Sequence, residues 1–167
     1  MEVDWMGRYR PLVAALVLHA NIVNKGISER NDIGDGIMLN PQEWQSLEFI
    51  IEHNDSFFSM IEISRRLGIP QSTFSRIVKT LQENRLIAKY QVAGNRKNIV
   101  LRPTDYGVKL YRNRVERSSG TRFKKFFAEL EPLSDEDIKT FTSALNHLTM
   151  DLPSARESQD VRLIEIE

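Results

Sequence analysis

Apolar positions recur every three or four residues along most of this 167-residue chain, and each such run predicts a helix. Trp5, Tyr9, Leu12, Val13, Leu16, Val17, Ala20 and Val23 place the first over 5–25. Its centre, LVAALVL (12–18), is apolar nearly all round, which asks for burial on more than one face and so for a partner chain. Residues 26–40, GISERNDIGDGIMLN, hold three glycines and no sustained period, so a loop is expected. Asn40 as N-cap, Pro41 at the first helical position and Glu43 closing a capping box then open a helix. It carries Trp44, Leu47, Phe49, Ile50 and Ile51 and ends near His53–Asn54. A short extended SFF (56–58) leads to Ser59 and Glu62, a second capping box, and to a helix over 60–68 that Gly68 stops. Pro70 biases Ile69 away from helix, so the turn lies there. Phe74, Ile77, Val78 and Leu81, at i, i+3, i+4 and i+7, make the core side of a helix over 71–84.

After Leu86 the period changes. LIAKYQV and NIVLR are rich in branched and aromatic residues and flank AGNRK, predicting a β-hairpin with a basic tip at Arg96 and Lys97. Thr104 caps a further helix that the pattern allows to run to about Leu130, roughly 40 Å at 1.5 Å per residue. Its polar middle contains Gly120, where a bend or a solvated stretch is expected. Ser134 caps a last helix whose Ile138, Phe141, Leu145, Leu148 and Leu152 form a seam suited to another helix. Past Pro153 the tail is mostly polar until VRLIEIE; a mobile tail and a docked extended piece both fit it. The expected class is mainly α with a small β-hairpin wing (α+β).

Composition narrows the chemistry. Hydrophobic residues make up 41 %, enough for a sizeable core. The absence of cysteine excludes disulfides, thiol redox sensing and thiolate metal sites. No apolar run approaches the roughly 20 residues of a membrane span and no secretory signal opens the chain, so a cytoplasmic, membrane-free protein is expected. Net charge is zero, yet it is unevenly placed. Residues 65–102 carry nine cations against Glu83 alone, a net of +8, while 1–64 sum to −6 and 103–167 to −2. A positive block between acidic flanks reads as a footprint for phosphate.

The block contains IPQSTFSRIVKTLQENRL (69–86), whose polar side carries no acid before Glu83. Two helices joined by a tight Gly/Pro turn, with a hairpin behind, make a winged helix-turn-helix, whose second helix enters the DNA major groove. There the leading residues must be short and must both donate and accept hydrogen bonds, as Ser and Thr do, while Arg grips guanine or phosphate. Gln71, Ser72, Thr73, Ser75, Arg76, Lys79 and Thr80 are therefore the candidates on the helix, and Asn95, Arg96 and Lys97 on the wing. The plain alternative is that these are capping and solvent-facing residues. Catalysis is not indicated: there is no Gly-rich phosphate loop, G-x-S-x-G elbow, H-E-x-x-H or thiol. No metal or cofactor is expected, because His19, His53 and His147 are scattered and the acids of 26–40 miss the calcium-loop template.

LGIPQSTFSRIVKTLQENRLI followed by GNRKNIVLRPTDYG resembles the winged-helix core of the MarR family of bacterial transcriptional regulators, over about 40–150. Ser72, Thr73, Ser75, Arg76, Val78, Leu81, Thr104 and Gly107 carry the match. Pro70 stands where the family often has a capping Ser, and Asn95 where its wing usually has Asp. The resemblance implies a homodimer that binds a pseudo-palindromic double-stranded operator. It further implies a layout of an N-terminal dimerisation helix and loop (1–39), a DNA-binding lobe (40–103), C-terminal dimerisation helices (104–152) and a tail (153–167). Many relatives release DNA, as repressors do, on binding a small aromatic ligand. Trp5, Tyr9, Arg10 and His19 are the candidates to line such a cavity, against the simpler reading of core aromatics. A winged helix used for protein interaction, without sequence-specific DNA binding, is the alternative.

Overall fold

The structure, a computed structural model, describes residues 5–92, 95–118, 123–148 and 163–166. A single 3-10 turn (Gly7–Tyr9) leads into α1 (Arg10–Lys25). Strands β1 (Asn31–Asp32) and β2 (Met38–Leu39) follow, then α2 (Pro41–Glu52), α3 (Met60–Arg66) and α4 (Gln71–Glu83). Strands β3 (Ile87–Val92) and β4 (Asn95–Pro103) precede α5 (Asp105–Ser118), α6 (Lys124–Leu130), α7 (Asp135–Asn146) and β5 (Leu163–Ile166). The class is the expected one, mainly helical with an antiparallel hairpin.

Local signals set most boundaries. Asn40 and Glu43 form a reciprocal capping box at 2.9 Å in each direction, and Ser59 with Glu62 forms another. Ser134 and Asp137 make a third at the start of α7. Its serine donates to the Asp137 carboxylate at 2.6 Å, and these bonds hold that carboxyl below the usual aspartate range.

Four boundaries differ from the pattern. The helix expected from residue 5 becomes regular only at Arg10, where Pro11, lacking an N–H, suits the first turn. The loop 26–40 contains a two-residue antiparallel pairing, Asn31 with Leu39 and Asp32 with Met38, anchored by buried Ile33. The long helix expected to reach Leu130 is two helices, α5 ending at Ser118 and α6 starting at Lys124; Gly120 lies outside the described residues. The last helix ends at Asn146 rather than near 152, with His147 as C-cap and its Nδ1 2.7 Å from the Ser143 carbonyl oxygen.

One core joins α2 to α5 with the base of the hairpin. Phe74, Ile77, Val78 and Leu81 of α4 are at most 4 % exposed and meet Leu47 and Ile50 of α2, Ile63 of α3 and Leu101 of β4. Arg30 binds both carboxylate oxygens of buried Glu43, at 2.8 and 2.7 Å, which pins the 26–40 loop to α2. Tyr111 of α5 stacks on Trp44 and donates to Glu48 at 2.7 Å, tying α5 to α2.

Both helices of the helix-turn-helix end alike. At Gly68 (φ 64°) the chain turns left-handed; Gly68 N–H donates to Arg65 and Ile69 N–H to Ser64. At Arg85 (φ 57°) the pattern repeats, with Arg85 N–H to Gln82 and Leu86 N–H to Leu81. Each reversal drops a buried residue, Ile69 or Leu86, into the core. Leu86 then meets α5. Its carbonyl accepts from Thr104 N–H at 3.0 Å, Thr104 Oγ1 accepts from Gly107 N–H at 2.9 Å, and a Cβ at Gly107 would collide with the Leu86 carbonyl oxygen.

Gly107→Ala is expected to lower the unfolding free energy by about 3 kcal/mol, because backbone must move. Gly68→Ala meets open space and costs about 1 kcal/mol through the left-handed backbone alone. Urea denaturation of the two variants checks the order; a smaller loss at Gly107 would contradict the packing.

Candidate nucleic-acid interface

Burial of one stripe fixes the rotation of α4 and turns the other stripe outward. Gln71, Ser72, Ser75, Arg76 and Lys79 are exposed, and Thr73 and Thr80 partly so. Arg76 Nη2 donates to Thr73 Oγ1 at 3.3 Å, so the guanidinium lies along the leading turn. The Thr80 hydroxyl donates to the Arg76 carbonyl oxygen at 3.2 Å and is thus occupied within the helix. Lys79 is 3.8 Å from Glu83, an exposed pair too long and too solvated to hold it.

The start of α4 is open. Pro70 is its N-cap and gives no side-chain hydrogen bond, unlike the caps of α2, α3 and α7. An uncapped first turn leaves backbone donors and the positive end of the helix dipole to an outside acceptor, and phosphate suits both. Arg65, one of the cations of the charge block, is exposed on the last turn of α3 and joins the candidates.

Beside α4, β3 and β4 pair antiparallel from Ile87 with Pro103 to Gln91 with Ile99. The register then slips, and Val92 pairs with Asn95. Asn95, Arg96 and Lys97 therefore belong to β4 rather than to a free loop. Their side chains lie outside the described residues. A bridge from Ser59 to Val100 secures the base of the hairpin to the start of α3.

Residues 39–97 match a family model described as MarR family. The matched span runs from β2 through the helix-turn-helix into β4. Solved structures share the fold over most of the chain. CouR from Rhodococcus jostii RHA1, bound to p-coumaroyl-CoA, is 21 % identical, with 87 % of this chain and 92 % of that one covered at a TM-score of 0.53. FabT from Streptococcus pneumoniae, in complex with DNA, is 15 % identical, covering 84 % and 94 % at 0.54. The PcaV transcriptional regulator from Streptomyces coelicolor, in complex with its natural ligand, is 18 % identical, covering 89 % and 96 % at 0.52. No curated protein matches the chain.

Within this lobe the cations divide by role. Arg102 donates to the Ser56 carbonyl oxygen at 2.7 Å and lies 5.1 Å from the Phe57 ring centre; burial pulls its pKa below the ordinary arginine value, against Asp55 and Tyr90. Arg66 lies 4.4 Å over the Phe58 ring. These two clamp the 56–58 segment, so the +8 block overstates the charge free to meet a partner.

The four candidate ligand-lining residues are not gathered. Arg10 borders an open groove along α1 with Met6, Val13, Val17 and Asn21. Trp5, Tyr9 and His19 do not line it, and all three are exposed rather than core. Among the described residues no group of His, Cys, Asp and Glu could hold a metal ion, and no helix is long and apolar enough to cross a membrane.

Arg102→Ala is expected to cost about 2 kcal/mol of stability, because a charged donor to a carbonyl is lost. Arg76→Ala and Lys79→Ala should stay within about 0.5 kcal/mol of the parent. Chemical denaturation of the three variants separates clamp from free surface.

Proposed function

We propose that this chain is a sequence-specific transcriptional regulator of double-stranded DNA, acting as a homodimer on a pseudo-palindromic operator, rather than a catalyst. The observation that carries the reading is α4: its exposed side is hydroxyl, amide and cation, its first turn is uncapped, and its only acid sits at the far end. In this reading Gln71, Ser72, Thr73, Ser75 and Arg76 meet base edges, Lys79 and Arg65 meet phosphate, and Asn95, Arg96 and Lys97 approach the neighbouring minor groove. Thr80, already bonded to its own helix, contributes least.

The outer helices support the dimer. Among the described residues α1, α6 and α7 bury none, although Leu12, Val17, Leu18 and Ile22 of α1 and Phe126 and Phe127 of α6 are large and apolar. Phe123, Phe126 and Phe127 already cluster, with stacked ring centres 5.6 Å apart. Contiguous apolar surface of this kind marks an interaction site. The division into dimerisation elements (1–39 and 104–152) around a DNA-binding lobe (40–103) follows, and a two-fold dimer places half-sites about 34 Å apart. A small aromatic acid is the effector class proposed, with Arg10 at the α1 groove as its carboxylate partner.

Anisotropy titration with duplex DNA should show log K falling linearly with log salt, at about −0.9 per phosphate contact. Binding that is absent or indifferent to salt would point to a protein-interaction module instead. On a selected operator, Arg76→Ala should cost about 1–3 kcal/mol and relax sequence preference; an equal loss on every sequence would move Arg76 to phosphate. Sedimentation should return a dimer at micromolar concentration, and a folded monomer there would remove the two-fold arrangement.

A further inference from the structure

The hairpin is not a free two-stranded wing. Strand β5, from the C-terminal tail, pairs antiparallel with the outer edge of β3, giving the order β4–β3–β5. The register sets Leu163 opposite Val92, Ile164 opposite Gln91, Glu165 opposite Tyr90 and Ile166 opposite Lys89. This covers four of the six residues of β3, those nearer the tip, next to the residues that lead into Asn95, Arg96 and Lys97. The hairpin sequence, 86–103, has four cations and no acid, whereas residues 151–167 have five acids against Arg156 and Arg162. Pairing β5 with β3 therefore sets Glu165 on the edge of an acid-free cationic element, within a segment whose sequence sums to −3.

We propose that the C-terminal segment is a built-in competitor of nucleic acid: β5 docks on the wing edge and its acidic surroundings weaken the hold of the lobe on phosphate. The inference rests on the DNA-binding reading above. A four-residue strand gains few ladder hydrogen bonds against the backbone entropy it loses, so the dock is shallow and reversible. Charge placed within a Debye length of the wing screens it from phosphate even when no ion pair forms. The docked strand also covers an edge that would otherwise accept a strand from another chain.

The test uses full chains: the parent, an Ile164→Pro/Ile166→Pro variant that cannot complete the ladder, and a Glu165→Gln/Glu167→Gln variant that keeps the strand and loses charge. Each is titrated with labelled random duplex at several salt concentrations, and amide exchange is followed over Lys89–Val92. The proline variant should bind about fivefold tighter at low salt, with loss of amide protection, and the glutamine variant should fall between with protection kept. The gain should shrink as salt rises. Equal or weaker binding by both variants, with the parent still binding, overturns the competitor and leaves the DNA reading intact. Parent amides at the β3 edge that exchange like those of the proline variant overturn the docking itself. No duplex binding by any of the three overturns the DNA reading and the competitor with it.

Discussion

Burial of Phe74, Ile77, Val78 and Leu81 is the constraint on which the rest of the lobe depends. These four make a stripe on α4, and a helix with one stripe sunk in a core has no remaining rotational freedom. Everything proposed for the opposite face follows from that lock. Ser72, Ser75, Arg76 and Lys79 point outward because their neighbours cannot. Their short hydroxyls and long cations cost little at the surface and would cost much inside.

The lock needs both ends held. Left-handed turns at Gly68 and Arg85 drop Ile69 and Leu86 into the same core, so α4 enters and leaves it through buried residues. At the far end, Leu86, Thr104 and Gly107 join the hairpin to α5 through two hydrogen bonds and one contact that admits no side chain. Thr104 and Gly107, which helped mark the resemblance, are thus positioning residues. Their contacts are internal, and they set how the hairpin meets α5.

Charge acquires meaning only after this sorting. Arg66 and Arg102 sit on the rings of Phe58 and Phe57 and hold the segment before α3, while Arg76, Lys79 and Arg65 stand in water. A count over 65–102 treats them alike. The same holds for the apolar residues of α1 and α6: their spacing calls for burial, and the single chain leaves them open, which moves the question from folding to assembly.

By itself the sequence determined what depends on neighbours a few residues apart. The capping boxes at Asn40 and Ser59, the Gly/Pro turn, the apolar stripe of α4 and the change to a two-residue period at the hairpin all arise within one or two turns of backbone. The tertiary structure alone decided what joins distant segments. Arg102 reaches Ser56 across 46 residues and Thr104 reaches Arg85 across 19, and no local pattern encodes either. The tail is the clearest case. VRLIEIE was compatible with a mobile end or a docked strand, because a strand's free energy lies in its partner's unpaired edge, and only the fold shows that β3 offers one.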